Sequence, residues 1–154
     1  MFTHPTLGRA RSAQKQSVGT VHVHPSGKFV YVANRAGGTV EYEGQKVFSG
    51  GENTIAVFAI DQNTGEPTLI QNSDTRGIHV RCFCIDPGGR MLVAANMTCM
   101  PMRDGNNLRI VPAGLAVFRI GHDGRLEFVS KYEIETGSEN IWWMGMASPE
   151  ASLR

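Results

Sequence analysis

The sequence lacks the features that membrane, secreted and nucleic-acid-binding proteins usually show. No run approaches the roughly 18 apolar residues that a membrane-spanning helix needs, and the first residues contain no apolar stretch typical of a secretory signal. Acidic and basic residues nearly balance, with a formal net charge of +1. No electrostatic attraction to nucleic acid or to an acidic membrane is therefore expected. We expect a cytoplasmic protein with no nucleic-acid or membrane partner.

Cysteine is scarce, and its pattern indicates no disulfide framework. The chain has 3 cysteines, an odd number. Cys82 and Cys84 lie two apart in an apolar run, which predicts two small buried side chains on one face of a strand. The alternative is a CxC metal or redox site, but no second cysteine pair supports it. His22 and His24 alternate in the same way but lack a third ligand at a suitable spacing, so no metal site is predicted.

Helical patterns are missing, and an internal repeat is present instead. One copy begins VHVHPSGKFVYVAN and the other CFCIDPGGRMLVAAN, so that Pro25 and Asn34 of the first copy correspond to Pro87 and Asn96 of the second. Each copy continues into a second shared segment, NTIAVFAIDQNTGEPTLIQ in the first and GLAVFRIGHDGRLEFVS in the second. Short runs rich in Val, Phe and Tyr, separated by Pro-Gly and Gly turns, are typical of β-strands.

Each copy contains four predicted strands. They span residues 18–24, 28–34, 53–60 and 67–72 in the first copy, then 79–86, 91–96, 114–120 and 125–133 in the second. Four antiparallel strands per repeat form a propeller blade. The predicted fold is therefore all-β: a β-propeller fragment of two four-stranded antiparallel blades.

The remaining segments are connections and ends. Residues 35–52 and 97–113 are long loops between equivalent strands, so they leave the same edge of each blade, and loops of this length are usually functional or mobile. The apolar run Ile141–Met146 predicts a strand that closes the ring, with an amphipathic surface peg as the alternative. The predicted division is residues 1–17, a linker or the end of a preceding blade; 18–146, two blades and the closing strand; and 147–154, a tail.

Two blades cannot close a ring, because their outer faces and strand edges would stay open. We therefore expect a C-terminal piece of a longer protein, or a chain that another chain completes. Self-association through the open blade edges is a further expectation.

The repeated segments HPSGKFVYVANR, NTIAVFAIDQNTGEPTLIQ, RCFCIDPGGRMLVAAN and LAVFRIGHDGRLEFV resemble the seven-bladed lactonase propellers. That family includes propeller-type 6-phosphogluconolactonases and 3-carboxy-cis,cis-muconate lactonizing enzymes. The resemblance covers residues 18–146 and implies the last blades of a probable seven-bladed ring. It implies hydrolysis of a sugar lactone, or isomerisation between a lactone and an unsaturated carboxylate. The implied partner is a small-molecule lactone or carboxylate substrate, and no cofactor is implied.

Arginines carry the predicted chemistry. Arg35 and Arg81 match positions at which the family gathers charged groups at the channel mouth, although Val80 stands where the family has proline. A Gly-His-Asp turn that many members have after the first arginine is absent here, which leaves the substrate class open. A guanidinium binds carboxylate or phosphate and stabilises a developing oxyanion. The alternative for both arginines is an exposed surface position.

The other candidate site residues are less specific. His79 is predicted to share a strand face with Arg81 and to act as a general base or to position the lactone. His22, Glu52 and Asn34 are candidate substrate-binding residues. Because Asn34 recurs as Asn96, its alternative is an architectural role at the strand end. The competing functions are a non-catalytic propeller binding scaffold and a fragment that is inactive because other site groups lie on absent blades. Convergence of the two arginines on one mouth favours an enzyme over a scaffold.

Overall fold

The computed structural model describes residues 5–6 and 16–147 of the 154-residue chain. These residues form strands and turns, and no helix among them is long and apolar enough to cross a membrane. The strands are β1 Ser17–Val23, β2 Phe29–Arg35, β3 Thr39–Tyr42, β4 Gln45–Phe48, β5 Thr54–Ile60, β6 Pro67–Asp74, β7 Val80–Ile85, β8 Met91–Asn96, β9 Met100–Asp104, β10 Asn107–Val111, β11 Gly114–Ile120 and β12 Leu126–Glu133.

Eight of these strands form two four-stranded antiparallel sheets. Blade 1 has the order β1-β2-β5-β6, and blade 2 has the order β7-β8-β11-β12. These are the eight strands that the repeat predicts, with ends that differ by at most two residues. The all-β prediction with two antiparallel blades is confirmed.

The turn between the first two strands has the same structure in both blades. Gly27 and Gly89 adopt φ values of 72° and 67°, a left-handed conformation that glycine takes without steric cost. His24 Nδ1 accepts a hydrogen bond from the Ser26 amide. In blade 2, Asp86 takes its place and accepts bonds from the amides of Gly88, Arg90 and Met91. The side chain at this position therefore stabilises the turn in both blades.

The hydrophobic core lies between the two blades. Tyr31, Ile55 and Val57 of blade 1 pack with Phe83 and Phe118 of blade 2, all almost fully buried. The Tyr31 hydroxyl donates a hydrogen bond to the Gly124 carbonyl at 2.8 Å, which connects the blades through a polar contact inside the core. This packing brings the first strands, β1 and β7, side by side.

The two long connections are hairpins, not irregular loops. β3 pairs with β4 in one and β9 with β10 in the other. Glu43 and Gly44 form the first turn with φ values of 49° and 78°, as a type I′ turn requires. The hairpins contact each other, with the Arg103 guanidinium 4.3 Å from the centre of the Tyr42 ring. Both leave the same edge of their blades, as expected from the equivalent strands that they join.

The predicted ring-closing strand over Ile141–Met146 is not formed among the described residues, and its role in closing the ring stays a prediction. Residues 141–147 form no strand, because no neighbouring strand in the described part of the chain offers them a continuous ladder of hydrogen bonds. The segment lies beside blade 2 instead, where the Ile141 amide donates to the Met97 carbonyl at 3.2 Å. The predicted linker 1–17 and tail 147–154 lie mostly outside the described residues. Self-association through open edges stays a prediction.

Candidate active site

A pocket of about 390 Å³ lies at the edge where β1 and β7 begin and β2 ends. Because β1 and β2 are antiparallel, Ser17 pairs with Arg35, and the start of one strand meets the end of the other. The packing of the blades then adds the start of β7. The lining residues are Val18, Gly19, Thr20, Arg35, Arg81, Cys82, Trp142 and Trp143.

A β-bulge places Arg81 at this pocket. In the pairing of β7 with β8, Val80 pairs with Asn96 and Cys82 with Ala95, so Arg81 between them has no partner. Bulges of this kind redirect a side chain and occur often near active sites. The Arg81 side chain is exposed, and its guanidinium lies 5.1 Å from the centre of the Trp142 ring, within the range of a cation–π interaction.

An equivalent bulge in β1 brings the first strands close together. The pairing of β1 with β2 shifts between Val18 and Val21, around Gly19 and Thr20. The Thr20 hydroxyl donates to the Arg81 carbonyl at 3.1 Å. A Cβ atom on Gly19 would lie 2.8 Å from the same carbonyl, closer than side-chain carbons approach backbone oxygens. Glycine at this position therefore permits the approach that forms the pocket.

Arg35 is held by His79. Its Nη1 lies 2.6 Å from His79 Nε2. A guanidinium only donates, so Nε2 must accept and a neutral ring carries its proton on Nδ1. Burial, then the charges of Arg35 and Arg81, hold the pKa of His79 below its usual range. The imidazole is therefore neutral near pH 7.

His79 does not share a strand face with Arg81, and that part of the sequence interpretation is wrong. His79 precedes β7 and has a φ of 60°, a left-handed conformation in which strand alternation does not apply. It is not a lining residue of the pocket. Its ring lies against Gly37, where a Cβ atom would be 2.7 Å from Nδ1. Glycine at position 37 therefore leaves room for this ring.

Asn53 is the residue that sequence reasoning missed. It is 8% exposed, and its Oδ1 accepts hydrogen bonds from the amides of Ala36, His79 and Val80 at 3.1, 2.8 and 3.4 Å. The first amide follows Arg35, and the others lie at the start of β7. The second copy has Ala113 at the equivalent position, so a polar residue without a counterpart was the available signal.

The three candidate substrate-binding residues lie elsewhere. Asn34 is fully buried and donates to the Thr6 carbonyl and the Thr54 hydroxyl, so the structure supports its architectural alternative and corrects its assignment to substrate binding. His22 packs edge-on against Phe83, with ring centres 5.0 Å apart. The backbone of Glu52 bonds to the Gln16 side chain. None of the three lines the pocket.

Cys82 and Cys84 are buried, as predicted. Burial raises the pKa of both thiols, which keeps them protonated and unreactive near neutral pH. Within residues 5–6 and 16–147, no group of three or more His, Cys, Asp or Glu side chains is placed to hold a metal ion.

The two repeated antiparallel sheets pack face to face with their first strands adjacent, as neighbouring blades of a β-propeller do. Comparison with known families identifies which one. Residues 1–100 match the family model described as lactonase, 7-bladed β-propeller, and the chain belongs to this family.

Individual relatives agree with the family. The chain is 36% identical over 76 residues to a 6-phosphogluconolactonase of Formosa agariphila, a match that covers 49% of this chain and 18% of that protein. It is 33% identical over 104 residues to the 6-phosphogluconolactonase of Bacillus subtilis, covering 60% and 26%. These matches span about a fifth to a quarter of the length of the two relatives. The crystal structure of the periplasmic gluconolactonase of Pseudomonas aeruginosa shares the fold, with a TM-score of 0.59 at 23% identity over 88% of this chain and 30% of that one.

Proposed function

We propose that this pocket forms part of a lactonase active site that binds an anionic sugar lactone and promotes its hydrolysis. The observation that carries the proposal is the convergence of Arg35 and Arg81, from different blades, on one pocket. Its described lining contains no acidic side chain, so the two guanidinium charges are not neutralised there. The two relatives named 6-phosphogluconolactonase support a phosphorylated sugar lactone as the substrate.

The two arginines suit different parts of the reaction. In hydrolysis, water adds to the lactone carbonyl carbon, the ring C–O bond breaks, and a hydroxy acid forms. Negative charge develops on the carbonyl oxygen, and fixed donors stabilise it best. Arg35 is fixed by bonds to His79 Nε2 and to the Val18 carbonyl, so we assign it to this oxygen. Arg81, exposed and stacked on a ring, is assigned to the phosphate or carboxylate group of the substrate.

His79 is not the base in this proposal. Its Nε2 already accepts from Arg35, and the residue does not line the pocket. Cys82 does line it, but burial raises the pKa of its thiol, so it remains a neutral wall. These two blades therefore contribute two positive charges and the walls of the pocket to the proposed active site.

Hydrolysis of 6-phosphogluconolactone, followed as acid release at constant pH above the spontaneous rate, tests the proposal. Arg35→Gln should lower kcat/KM by about 100-fold, the loss typical of an oxyanion donor. Arg81→Gln should mainly raise KM. Arg119→Gln is the matched control, because Arg119 lies in an exposed ion pair with Glu127 and such pairs contribute little. Equal turnover in all variants would remove the pocket from catalysis, and binding without any turnover would favour a scaffold.

A further inference from the structure

A chain of hydrogen bonds lies behind the pocket wall and connects residues that the lining does not include. It runs from Asn53, immediately before β5, to the backbone of His79, and from the His79 ring to Arg35. Asn53 belongs to blade 1 and His79 to the segment that enters blade 2. The chain therefore joins the two blades at the place where both arginines emerge.

We propose that His79 and Asn53 are positioning residues of this pocket: His79 holds Arg35 through an unprotonated Nε2, and Asn53 holds His79. The proposal rests on the function proposed above, because it explains how one binding group is aimed. Neither residue lines the pocket, so both act through Arg35 and not on the substrate.

Three features make His79 suited to this role. Its backbone is left-handed, with a φ of 60°, which is unfavourable for a residue with a side chain and must be maintained by its surroundings. The Asn53 Oδ1 bonds to the His79 and Val80 amides supply that constraint. Gly37 leaves space for the ring, since a Cβ atom there would lie 2.7 Å from Nδ1.

The charges around the ring fix the direction of the bond. Arg35, at the end of β2, and Arg81, near the start of β7, are the cations that act on His79. Both oppose a positive imidazolium, so the ring is an acceptor for Arg35. Protonation of the ring would convert the Nε2–Arg35 contact into a repulsion between two donors.

Asn53 holds the backbone next to both Arg35 and His79. Its Oδ1 also accepts from the Ala36 amide at 3.1 Å, immediately after Arg35. One buried side-chain oxygen thus ties the backbone beside Arg35 to the backbone beside His79. Loss of this oxygen would leave three amides to find other partners, which frees both ends together.

The first test is the tautomer of His79, and it requires no catalytic activity. Long-range proton–nitrogen NMR of the full chain should show neutral His79 with its proton on Nδ1 and a titration midpoint below the usual histidine value. In Arg35→Gln that midpoint should rise, because one of the two cations is gone. A proton on Nε2 in the neutral wild-type ring would overturn the proposal.

The second test compares two variants of His79 that differ in whether the side chain can accept a hydrogen bond from Arg35. His79→Gln keeps a neutral oxygen acceptor, whereas His79→Leu removes it, and both replace the ring by a similar volume. Binding of 6-phosphogluconate is followed by tryptophan emission, because both tryptophans of the chain line the pocket. His79→Leu should weaken binding about 10-fold, the loss of one charged hydrogen bond, and His79→Gln less than threefold.

The same design applies to Asn53. Asn53→Asp keeps an acceptor oxygen and Asn53→Ala does not, so the alanine variant should bind more weakly than the aspartate variant and lose the His79 tautomer preference. Equal affinity of His79→Leu and His79→Gln would overturn the proposal even if both fold. Absence of 6-phosphogluconate binding by the wild-type chain would count against the proposed function, and the tautomer measurement would then decide the positioning role alone.

Discussion

The guanidinium of Arg81 lies 5.1 Å from the centre of the Trp142 ring, so a residue of the β7 bulge is oriented by the segment that follows blade 2. Trp142 is 57% exposed, and the contact is therefore an exposed cation–π pair. Such pairs contribute about 0.5–1 kcal/mol. Trp142→Leu should weaken 6-phosphogluconate binding about two- to fivefold. The measurement is a titration followed by the emission of Trp143, with Trp143→Leu as the comparison, and unchanged affinity in Trp142→Leu would contradict the orienting role.

The pH dependence of stability follows from His79. Its pKa is depressed in the folded chain, whereas in the unfolded chain it returns to about 6.5. Between these two values the unfolded chain binds more protons, so stability rises with pH. The contribution is fully present above about pH 6.5 and is lost as pH falls through the folded pKa.

Urea unfolding at a series of pH values checks this sign. His79→Gln should flatten the acid limb of the stability curve, because the group that binds the extra proton is gone. His22→Gln is the control, since His22 is an exposed residue of β1. An unchanged acid limb in His79→Gln would show that another group dominates.

The bond from Tyr31 to the Gly124 carbonyl connects the blades inside the core. Burial raises the pKa of Tyr31 well above its usual value, so the hydroxyl stays a donor. Tyr31→Phe should cost about 1–3 kcal/mol, because a buried carbonyl loses its partner. Denaturant unfolding measures this cost, and Tyr132→Phe is the control because Tyr132 is 62% exposed. Equal losses in both variants would contradict the assignment.

Gly19 lies where the two first strands, β1 and β7, approach each other at the pocket. A Cβ atom there would lie 2.8 Å from the Arg81 carbonyl, and this backbone atom cannot move without shifting β7. Gly19→Ala should cost about 1–3 kcal/mol and weaken 6-phosphogluconate binding. Gly105→Ala provides a comparison without nearby atoms, although its φ of 63° adds strain of its own. Unchanged binding in Gly19→Ala would show that ligand binding does not depend on the close approach of β1 and β7.

The strands of both blades could be predicted from the sequence because each strand pattern occurs twice, once in each copy of the repeat. Pro25 and Pro87 mark the same turn, and the apolar runs after them define the same strand. The length of residues 35–52 and 97–113 predicts long loops but does not reveal that each segment folds as a hairpin. Glu43-Gly44, between two short alternating runs, was a readable turn signal.

The site was only partly predictable. Arg35 and Arg81 were identified, but the bulge that exposes Arg81 depends on the register between β7 and β8, which alternation within one strand does not reveal. The role of His79 depends on a left-handed backbone held by Asn53, 26 residues earlier in the chain. Such a contact arises from the packing of two blades and has no local signature.

The central claim is that two arginines from different blades form one anion-binding pocket, and calorimetric titration of the chain with 6-phosphogluconate tests it most directly. The account predicts saturable binding that weakens at least about 10-fold in Arg35→Gln and in Arg81→Gln, the loss of one charged hydrogen bond in each. It also predicts a loss in the double variant that is not the sum of the two, since residues at one site couple. Binding of equal strength in the wild type, both single variants and Arg119→Gln would contradict it.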